Sequence, residues 1–281
     1  MGVGATTPDA ASPPPQVMTQ NQSETPFSFV VPTEFVELPS RGAFYGENHV
    51  LHHQDTIEIK QMTAKEEDIL TSRALLKKGV ALDRVISSVI VNKNINPTTL
   101  LVGDRNAILI AARVSGYGSD YETQVTCPAC GEAQQYEFDL NDSEVYHGDG
   151  LDPTEAIPND DGTFTTTLPR TKVEVTFRLL NGSDEKSLLN QVENARKRKR
   201  EENAVTRQLR QIIVAVNGQE DQQAINYVVE NVPSADSRHL RFVYKLATPN
   251  VDLTQHFECE DCGHDQDMEV PLTADFFWPD R

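Results

Sequence analysis

The sequence predicts an α+β fold in which helical regions are combined with a four-cysteine ribbon whose two halves are far apart in sequence. Two features indicate this fold. Apolar residues recur at helical spacing over several long stretches, and shorter stretches alternate between apolar and polar residues as half-buried strands do. The four cysteines of the 281-residue chain form two C-x-x-C pairs, and each pair stands between two predicted strands.

The first helices carry clear boundary signals. Thr63 and Glu66 have the spacing of a capping box, and Gly79 stands where a helix C′ glycine belongs, so we predict a helix over about residues 64–78. The next helix has apolar residues at helical spacing, namely Leu82, Val85, Ile86, Val89 and Ile90. Pro97 opens a short helix, and Asp104 is the predicted cap of a long one that Gly116 helps to end.

The second half of the chain also predicts helices. Asp184 is the expected cap of a helix that ends in the basic residues 196–200. A further helix, ending near Gly218, carries Val205, Leu209, Ile212, Ile213 and Val216. Residues 224–230 and 237–246 are also typical of helices.

Strands are predicted where apolar and polar residues alternate or where apolar β-branched residues cluster. These stretches are residues 27–38, 55–60, 121–126, 135–140, 172–180, 251–257 and 268–272. The order of elements then predicts five parts. They are a disordered N-terminal arm (1–26), a strand-plus-helix domain (27–120), two ribbon halves (121–140 and 251–281), an acidic loop (141–170) and an inserted strand-plus-helix region (171–250).

Composition limits the classes of function. The formal net charge is −18 at pH 7, which repels phosphate backbones and argues against general nucleic-acid binding. Such a charge is typical of a soluble surface, and it also attracts basic partners. No stretch approaches the roughly 18 consecutive apolar residues of a membrane span. Without a secretory signal, we expect the cysteines to be reduced.

The two cysteine pairs predict one structural zinc ion per chain. Cys127-Pro-Ala-Cys130-Gly and Cys259-Glu-Asp-Cys262-Gly each have the form of a zinc knuckle, in which both sulfurs point to one side. Glycine after the second cysteine permits a tight backbone turn. Four thiolates match the closed tetrahedral coordination of structural zinc and leave no open position for catalysis.

Other interpretations of the four thiols remain open from sequence. The same sulfur geometry accepts iron, as in a rubredoxin-like site. A catalytic dithiol is disfavoured because neither pair opens a helix in a βαβ context. The thiols can also be independent and without a metal. His264 follows the second knuckle and is expected to be exposed or to support a ligand.

Three other groups have a functional and a plainer interpretation. His49, His52 and His53 can bind a metal, although exposed loop histidines are more common. Residues 196–200 resemble a nucleic-acid patch, but flanking glutamates favour a solvated helix end. The aromatic residues Phe276, Phe277 and Trp278 either close the core behind the ribbon or contact another subunit.

Several stretches together resemble the T4-type bacteriophage baseplate hub proteins. The stretches that carry the resemblance are Glu37-Leu-Pro-Ser-Arg-Gly42, Phe44-Tyr45, residues 62–68, residues 75–79, Leu101-Val-Gly-Asp-Arg105, residues 113–118 leading into the first knuckle, and Phe277-Trp278-Pro279. The resemblance covers residues 35–140 well and the remainder loosely.

This resemblance implies a non-enzymatic component of a contractile tail, located in the virion baseplate and assembled in the host cytoplasm. Its implied partners are other baseplate and tail-hub proteins in a symmetric, multi-copy assembly, with no small-molecule substrate. No phosphate loop, serine elbow or dinucleotide fingerprint appears in the sequence. The alternative function is a nucleic-acid-binding zinc-ribbon module, which the acidic residues near both knuckles disfavour.

Overall fold

The computed structural model describes Met1 and residues 30–198, 201, 203–270 and 274–277. Residues Pro32–Arg281 form one compact unit. The predicted disordered arm lies outside the described residues except for Met1. The predicted division of the remainder into domains stays a prediction.

The described residues contain eight α-helices, and none of them is long and apolar enough to cross a lipid bilayer. The helices are α1 (Ala64–Thr71), α2 (Arg73–Lys77), α3 (Ala81–Val89), α4 (Val102–Tyr117), α5 (Gly182–Lys197), α6 (Ala204–Ile212), α7 (Gln222–Asn231) and α8 (Ser234–Ala247). Short 3-10 turns lie at Pro97–Thr99, Leu140–Asp142 and Ala274–Phe277.

In the described part of the chain, twelve short strands form several small antiparallel sheets rather than one large sheet. They are β1 (Thr33–Glu37), β2 (Thr56–Lys60), β3 (Asp120–Thr126), β4 (Ala133–Asp139), β5 (Glu144–Tyr146), β6 (Ile157–Pro158), β7 (Thr163–Thr167), β8 (Glu174–Arg178), β9 (Ile213–Val216), β10 (Asn250–Asp252), β11 (Thr254–Glu258) and β12 (Asp265–Glu269). The pairs are β1–β2, β3–β4, β5–β10 and β11–β12, and β6-β7-β8-β9 form a four-stranded sheet. The structure therefore confirms the α+β class.

One continuous core joins the helices to the sheets. Val85 of α3, Ile108 of α4, Phe177 of β8, Val243 of α8 and Phe257 of β11 are all completely buried. They belong to the same hydrophobic cluster. Residues from both ends of the sequence therefore pack in a single interior.

The first predicted helix is two helices. α1 ends at Thr71, and Ser72 takes an extended conformation (ψ 101°) before α2 begins. The Thr71 hydroxyl donates to the carbonyl oxygen of Glu67, and such local bonds compete with the helical ladder. The capping box of Thr63 and Glu66 is confirmed, and Gly79 has the positive φ (64°) of a C′ glycine.

Two predicted helix N-caps are each wrong by three residues. α4 begins at Val102 after Leu101, so Asp104 lies inside the first turn. α5 is capped by Asn181, whose side chain accepts from the Asp184 amide, while the Asp184 carboxylate accepts from the Asn181 amide in a capping box. α4 continues through Gly116 and ends against Gly118 (φ 86°). In each case an acidic residue or a glycine correctly indicated that a helix boundary was near, but a residue two or three positions away occupies the boundary itself.

The end of the predicted helix over residues 205–216 is also wrong. α6 stops at Ile212, and residues 213–216 form β9, which pairs with β8. The apolar run Ile-Val-Ala-Val satisfies helical and strand patterns alike, and β-branched residues favour a strand where a partner strand is available. The predicted strand 251–257 is split into β10 and β11. The strand predicted over residues 268–272 begins earlier, since β12 is Asp265–Glu269, and residues 271 and 272 lie outside the described part of the chain.

The stretch predicted as an acidic loop contains three strands. β5 pairs with β10, while β6 and β7 extend the central sheet. These strands have two to five residues, too few for a visible alternation. Their partners lie far along the chain or beyond a turn, so local sequence carried little signal for them.

Candidate metal centre

Two hairpins present the four cysteines. β3 and β4 form the first hairpin, and Cys127 and Cys130 lie in the turn between them. The Cys127 amide donates to the Glu132 carbonyl oxygen (2.8 Å), and the Gly131 amide donates to the Cys127 carbonyl oxygen (2.9 Å). Gly131 has φ 78°, a conformation that glycine adopts without steric cost. These bonds close the knuckle predicted from the sequence.

The second hairpin repeats this geometry with different residues. β11 and β12 flank Cys259 and Cys262. The Cys259 amide donates to the His264 carbonyl oxygen (2.9 Å), and the Gly263 amide donates to the Cys259 carbonyl oxygen (2.9 Å). Gly263 has φ 66°. The two knuckles are therefore local repeats of one backbone motif.

The four sulfurs form one compact cluster. The Sγ atoms of Cys127 and Cys262 are 3.8 Å apart, as are those of Cys130 and Cys259. All four sulfurs lie within 4.8 Å of one another, and none is in a disulfide. A tetrahedron with metal–sulfur bonds of about 2.3 Å has edges of about 3.8 Å. The donor set and its spacing therefore fit a four-coordinate metal ion.

Backbone amides and neighbouring thiols set the acidity of the cluster. The Cys130 amide, with help from that of Ala129, lowers the pKa of Cys127 to about 6. The Glu132 amide lowers the pKa of Cys130, but burial and bonds from neighbouring thiols outweigh it and raise that pKa to about 12. Four adjacent thiols cannot all ionise without a cation to offset their charge. The cluster could therefore hold a cation that offsets the charge of its thiolates.

The two hairpins contact each other beyond the sulfurs. The Tyr136 hydroxyl donates to the His256 carbonyl oxygen (3.2 Å), and its ring lies 5.1 Å from that of Phe257. The Gln134 side chain bonds the backbone of both Glu258 and Glu260. Sequence reasoning missed these residues, although the matching strand flanks of the two knuckles gave a signal that the hairpins pair.

Arg113 connects the ribbon to the helical body. Its fully buried guanidinium donates to the carbonyl oxygens of Phe276 (2.6 Å), Gly118 and Asp120 (2.9 Å). The ring of Phe276 also meets Tyr121 of β3 edge-on at 5.2 Å. A buried charge is stable only when it is paired or hydrogen-bonded. This side chain therefore fixes where β3 leaves α4.

The predicted aromatic contact residues divide between two outcomes. Phe276 and Phe277 are 3% and 4% exposed and belong to the core. Their burial corresponds to the interpretation in which the cluster closes the core behind the ribbon. Trp278 lies outside the described residues. A subunit contact through these residues stays a prediction.

His49, His52 and His53 do not form a group of three potential metal ligands, although the rings of His52 and His53 lie 4.0 Å apart. The His49 ring stacks on Tyr45 (4.2 Å) and bonds the Thr99 hydroxyl, while His52 Nδ1 bonds the Tyr45 carbonyl oxygen. Among the described residues, the four cysteines are the one group of three or more potential ligands. His264 Nε2 lies 3.3 Å from the Gln266 side chain, beside the knuckle. Residues 199 and 200 of the basic run lie outside the described part of the chain.

Comparison with known families is decisive for the class of protein. Residues 32–278 match the family described as T4 bacteriophage base plate protein. The chain belongs to this family. The match spans both hairpins and all the elements between them, so it includes the whole cysteine cluster of this baseplate protein. Among curated proteins and solved structures, none matches the chain.

Proposed function

We propose that this baseplate protein is a non-enzymatic scaffold at or next to the tail hub, and that one structural zinc ion holds its two ribbon halves together. The observation that carries the proposal is the cluster of four sulfurs with 3.8 Å edges, formed by cysteines more than a hundred residues apart. When bound, zinc would bind four thiolates in a closed shell. Such sites stabilise folds and perform no chemistry.

The surroundings of the cluster support a protein-binding role over nucleic-acid binding. Exposed acidic side chains surround both knuckles, namely Glu132, Glu258, Glu260, Asp261, Asp265 and Asp267. A zinc ribbon that binds nucleic acid needs a basic face to displace counterions from phosphates. The acidic surface instead suits basic neighbours in the tail, repeated in symmetric copies. Assembly before host lysis would take place in the host cytoplasm.

Complementation in the phage that encodes the chain tests this proposal. A nonsense mutation in the gene is complemented with the wild-type chain, with Cys259→Ser or with His264→Ala. We expect complete baseplates with the wild-type chain and with His264→Ala, and about tenfold fewer with Cys259→Ser at elevated temperature. Electron microscopy counts the baseplates, and mass spectrometry of purified tails detects the chain and its neighbours.

Three results would each contradict a different part of the proposal. Complete tails that lack the chain would exclude a structural role in the virion. Tails that contain the chain far from the hub would exclude the hub location. Tails that assemble equally well with Cys259→Ser would exclude the need for the metal.

A further inference from the structure

A basic cleft lies on the side of the protein formed by α1, α3 and the end of β2. Its volume is about 490 Å³. The lining residues are Lys60, Lys65, Ile69, Arg84, Ser87, Ser88 and Lys93. Every charged lining residue is a cation, in a chain with 25 basic and 43 acidic residues. The cleft thus has the opposite charge to the protein as a whole.

Two of these cations have no partner within the described structure. Lys65 and Arg84 are exposed, and their side chains form neither ion pairs nor hydrogen bonds with any described residue. Lys60 is paired with the buried carboxylate of Glu66 at 2.9 Å. The cleft therefore offers two free cations beside a third whose charge is largely offset.

Lys93 is held at the cleft by the end of α3. Its ammonium group donates to the carbonyl oxygens of Ser87 (3.0 Å), Ser88 (3.2 Å) and Ile90 (2.6 Å). Burial, and then repulsion from Lys60 and Lys65, lowers the pKa of Lys93. The fold keeps like charges close together, and an anionic ligand would relieve this repulsion.

Building on the proposed function, we propose that this cleft binds an acidic segment of a neighbouring baseplate protein. Cations on three elements can contact several carboxylates at once, more than a single phosphate ion offers. Ile69 adds an apolar wall for the methylene groups of such a segment. A long nucleic acid would have to approach a molecule with net charge −18, whereas a short peptide segment can enter the cleft alone.

Zero-length cross-linking of assembled tails tests the occupant directly. A carbodiimide joins a lysine amine to a carboxylate in contact with it, with formation of an amide and conversion of the carbodiimide to a urea. We expect Lys65 to couple to Asp or Glu of another tail protein. Coupling only to a second copy of this chain, or none, would overturn the proposal. If Lys65 reacts only after nuclease treatment of the tails, the occupant of the cleft is a nucleic acid, and this result would also overturn the proposal.

Charge reversal supplies an independent test. Lys65→Glu with Arg84→Glu is compared with Lys172→Glu plus Arg238→Glu, which changes two exposed, unpaired cations outside the cleft. We expect about tenfold less of the cleft variant in purified tails. Its zinc content and melting temperature should match those of the control. The neutral pair Lys65→Gln with Arg84→Gln is used if the charge-reversed chain does not fold.

The two proposals fail in different ways. If the wild-type chain is absent from tails, the proposed scaffold role is wrong. If the wild-type chain is present and the cleft variants are incorporated equally well, only the cleft proposal is wrong.

Discussion

Fully buried charged side chains link segments that are distant in sequence. The Asp104 carboxylate accepts hydrogen bonds from the Ser40 amide (3.0 Å), the Ser40 hydroxyl (2.6 Å) and the Tyr45 hydroxyl (2.6 Å). The Asp236 carboxylate accepts from the amides of Arg170 (2.8 Å) and Thr171 (2.9 Å). Loss of one donor would leave a buried carboxyl oxygen without a hydrogen bond, which is destabilising.

The four clustered cysteines give the first prediction at this scale. Cys127→Ser should remove the metal and lower the free energy of unfolding by about 4 kcal/mol, because a structural metal site contributes directly to folding. His264→Ala is the matched control, since it changes a residue beside the knuckle whose imidazole is not in the sulfur cluster. Metal content and chemical denaturation measure both effects. Metal loss in His264→Ala would mean that the ligand set is incomplete.

Glu66 gives a prediction about pH. Burial opposes its ionisation, but hydrogen bonds from Ser88, Thr63 and Lys60 outweigh burial and lower the pKa of Glu66 to about 2. The pKa of Glu66 is lower in the folded protein than in the unfolded chain. Ionised Glu66 therefore stabilises the fold fully above the unfolded pKa, and this stabilisation is lost as the pH falls toward the folded pKa. Between pH 6 and pH 3, we expect Glu66 to account for about 2 kcal/mol of lost stability.

Urea denaturation at several pH values measures this loss. Glu66→Gln should be less stable at pH 6 and should show a shallower decline toward pH 3 than the wild type. Asp68→Asn, on the same helix, is the control, because its exposed carboxylate makes no bond to a described residue. Identical slopes for the wild type and Glu66→Gln would contradict the assignment.

Local spacing decides which residue roles are predictable. The cysteine pairs and the Thr63–Glu66 box were predictable because each motif is complete within five residues. The role of Asp104 was not, because its partners Ser40 and Tyr45 lie about sixty residues away. An aspartate at a helix start suggested a cap. Only the tertiary packing shows that the Asp104 carboxylate instead accepts hydrogen bonds from the segment of Ser40 and Tyr45.

At the scale of elements, α4 is the point where distant segments meet. The Val102 amide donates to the Leu180 carbonyl oxygen (3.1 Å), which links the helix to the residues before α5. The first turn also packs on the backbone at Pro249 and Asn250. The last turns hold the ribbon through Arg113. α4 thus determines the relative placement of the N-terminal elements, β10 and the metal site.

This packing predicts an asymmetry between two glycines of α4. A methyl group at Gly103 would lie 2.0 Å from the Pro249 carbonyl oxygen, whereas one at Gly116 would meet only the flexible Met62 side chain. We expect Gly103→Ala to destabilise the protein by about 3 kcal/mol through overpacking. Gly116→Ala should be neutral or stabilising by up to about 1 kcal/mol through helix propensity. Thermal denaturation compares the two, and equal effects would contradict the close approach at Gly103.

Element types were more predictable than element ends. The helices with strong apolar periodicity, such as α3 and α8, appear where the pattern placed them. The pattern failed where an apolar run fits two structures, as at residues 213–216, which pair with β8. It also failed for β5, whose partner β10 lies about a hundred residues further along the chain.

At the scale of the whole molecule, the cysteine cluster joins two parts of the chain that bracket most of the other elements. Removal of zinc should therefore loosen the ribbon first. We expect faster hydrogen exchange in β3, β4, β11 and β12 after chelation, and unchanged exchange in β7 and β8, which the central sheet holds. Mass spectrometry of peptides measures this. If chelation leaves hydrogen exchange unchanged in the ribbon strands as well as in β7 and β8, the ribbon does not depend on the metal.

The long-range arrangement was only partly predictable. The matching knuckles and strand flanks indicated that two distant hairpins pair, and the sulfur cluster confirms that they meet. The basic cleft was not predictable, because its cations come from β2, α1, α3 and the loop after α3, and their convergence depends on helix packing. The same limit applies to Arg113, because the carbonyl oxygen of Phe276 that it bonds lies more than a hundred residues further along the chain.

The central claim is that one zinc ion links the two hairpins of this baseplate protein. Native mass spectrometry of the full chain, with elemental analysis of the same sample, tests it most directly. The account predicts one zinc per chain, lost on acid denaturation together with the fold. A folded chain without metal, with iron in place of zinc, or with disulfides among the four cysteines would contradict it.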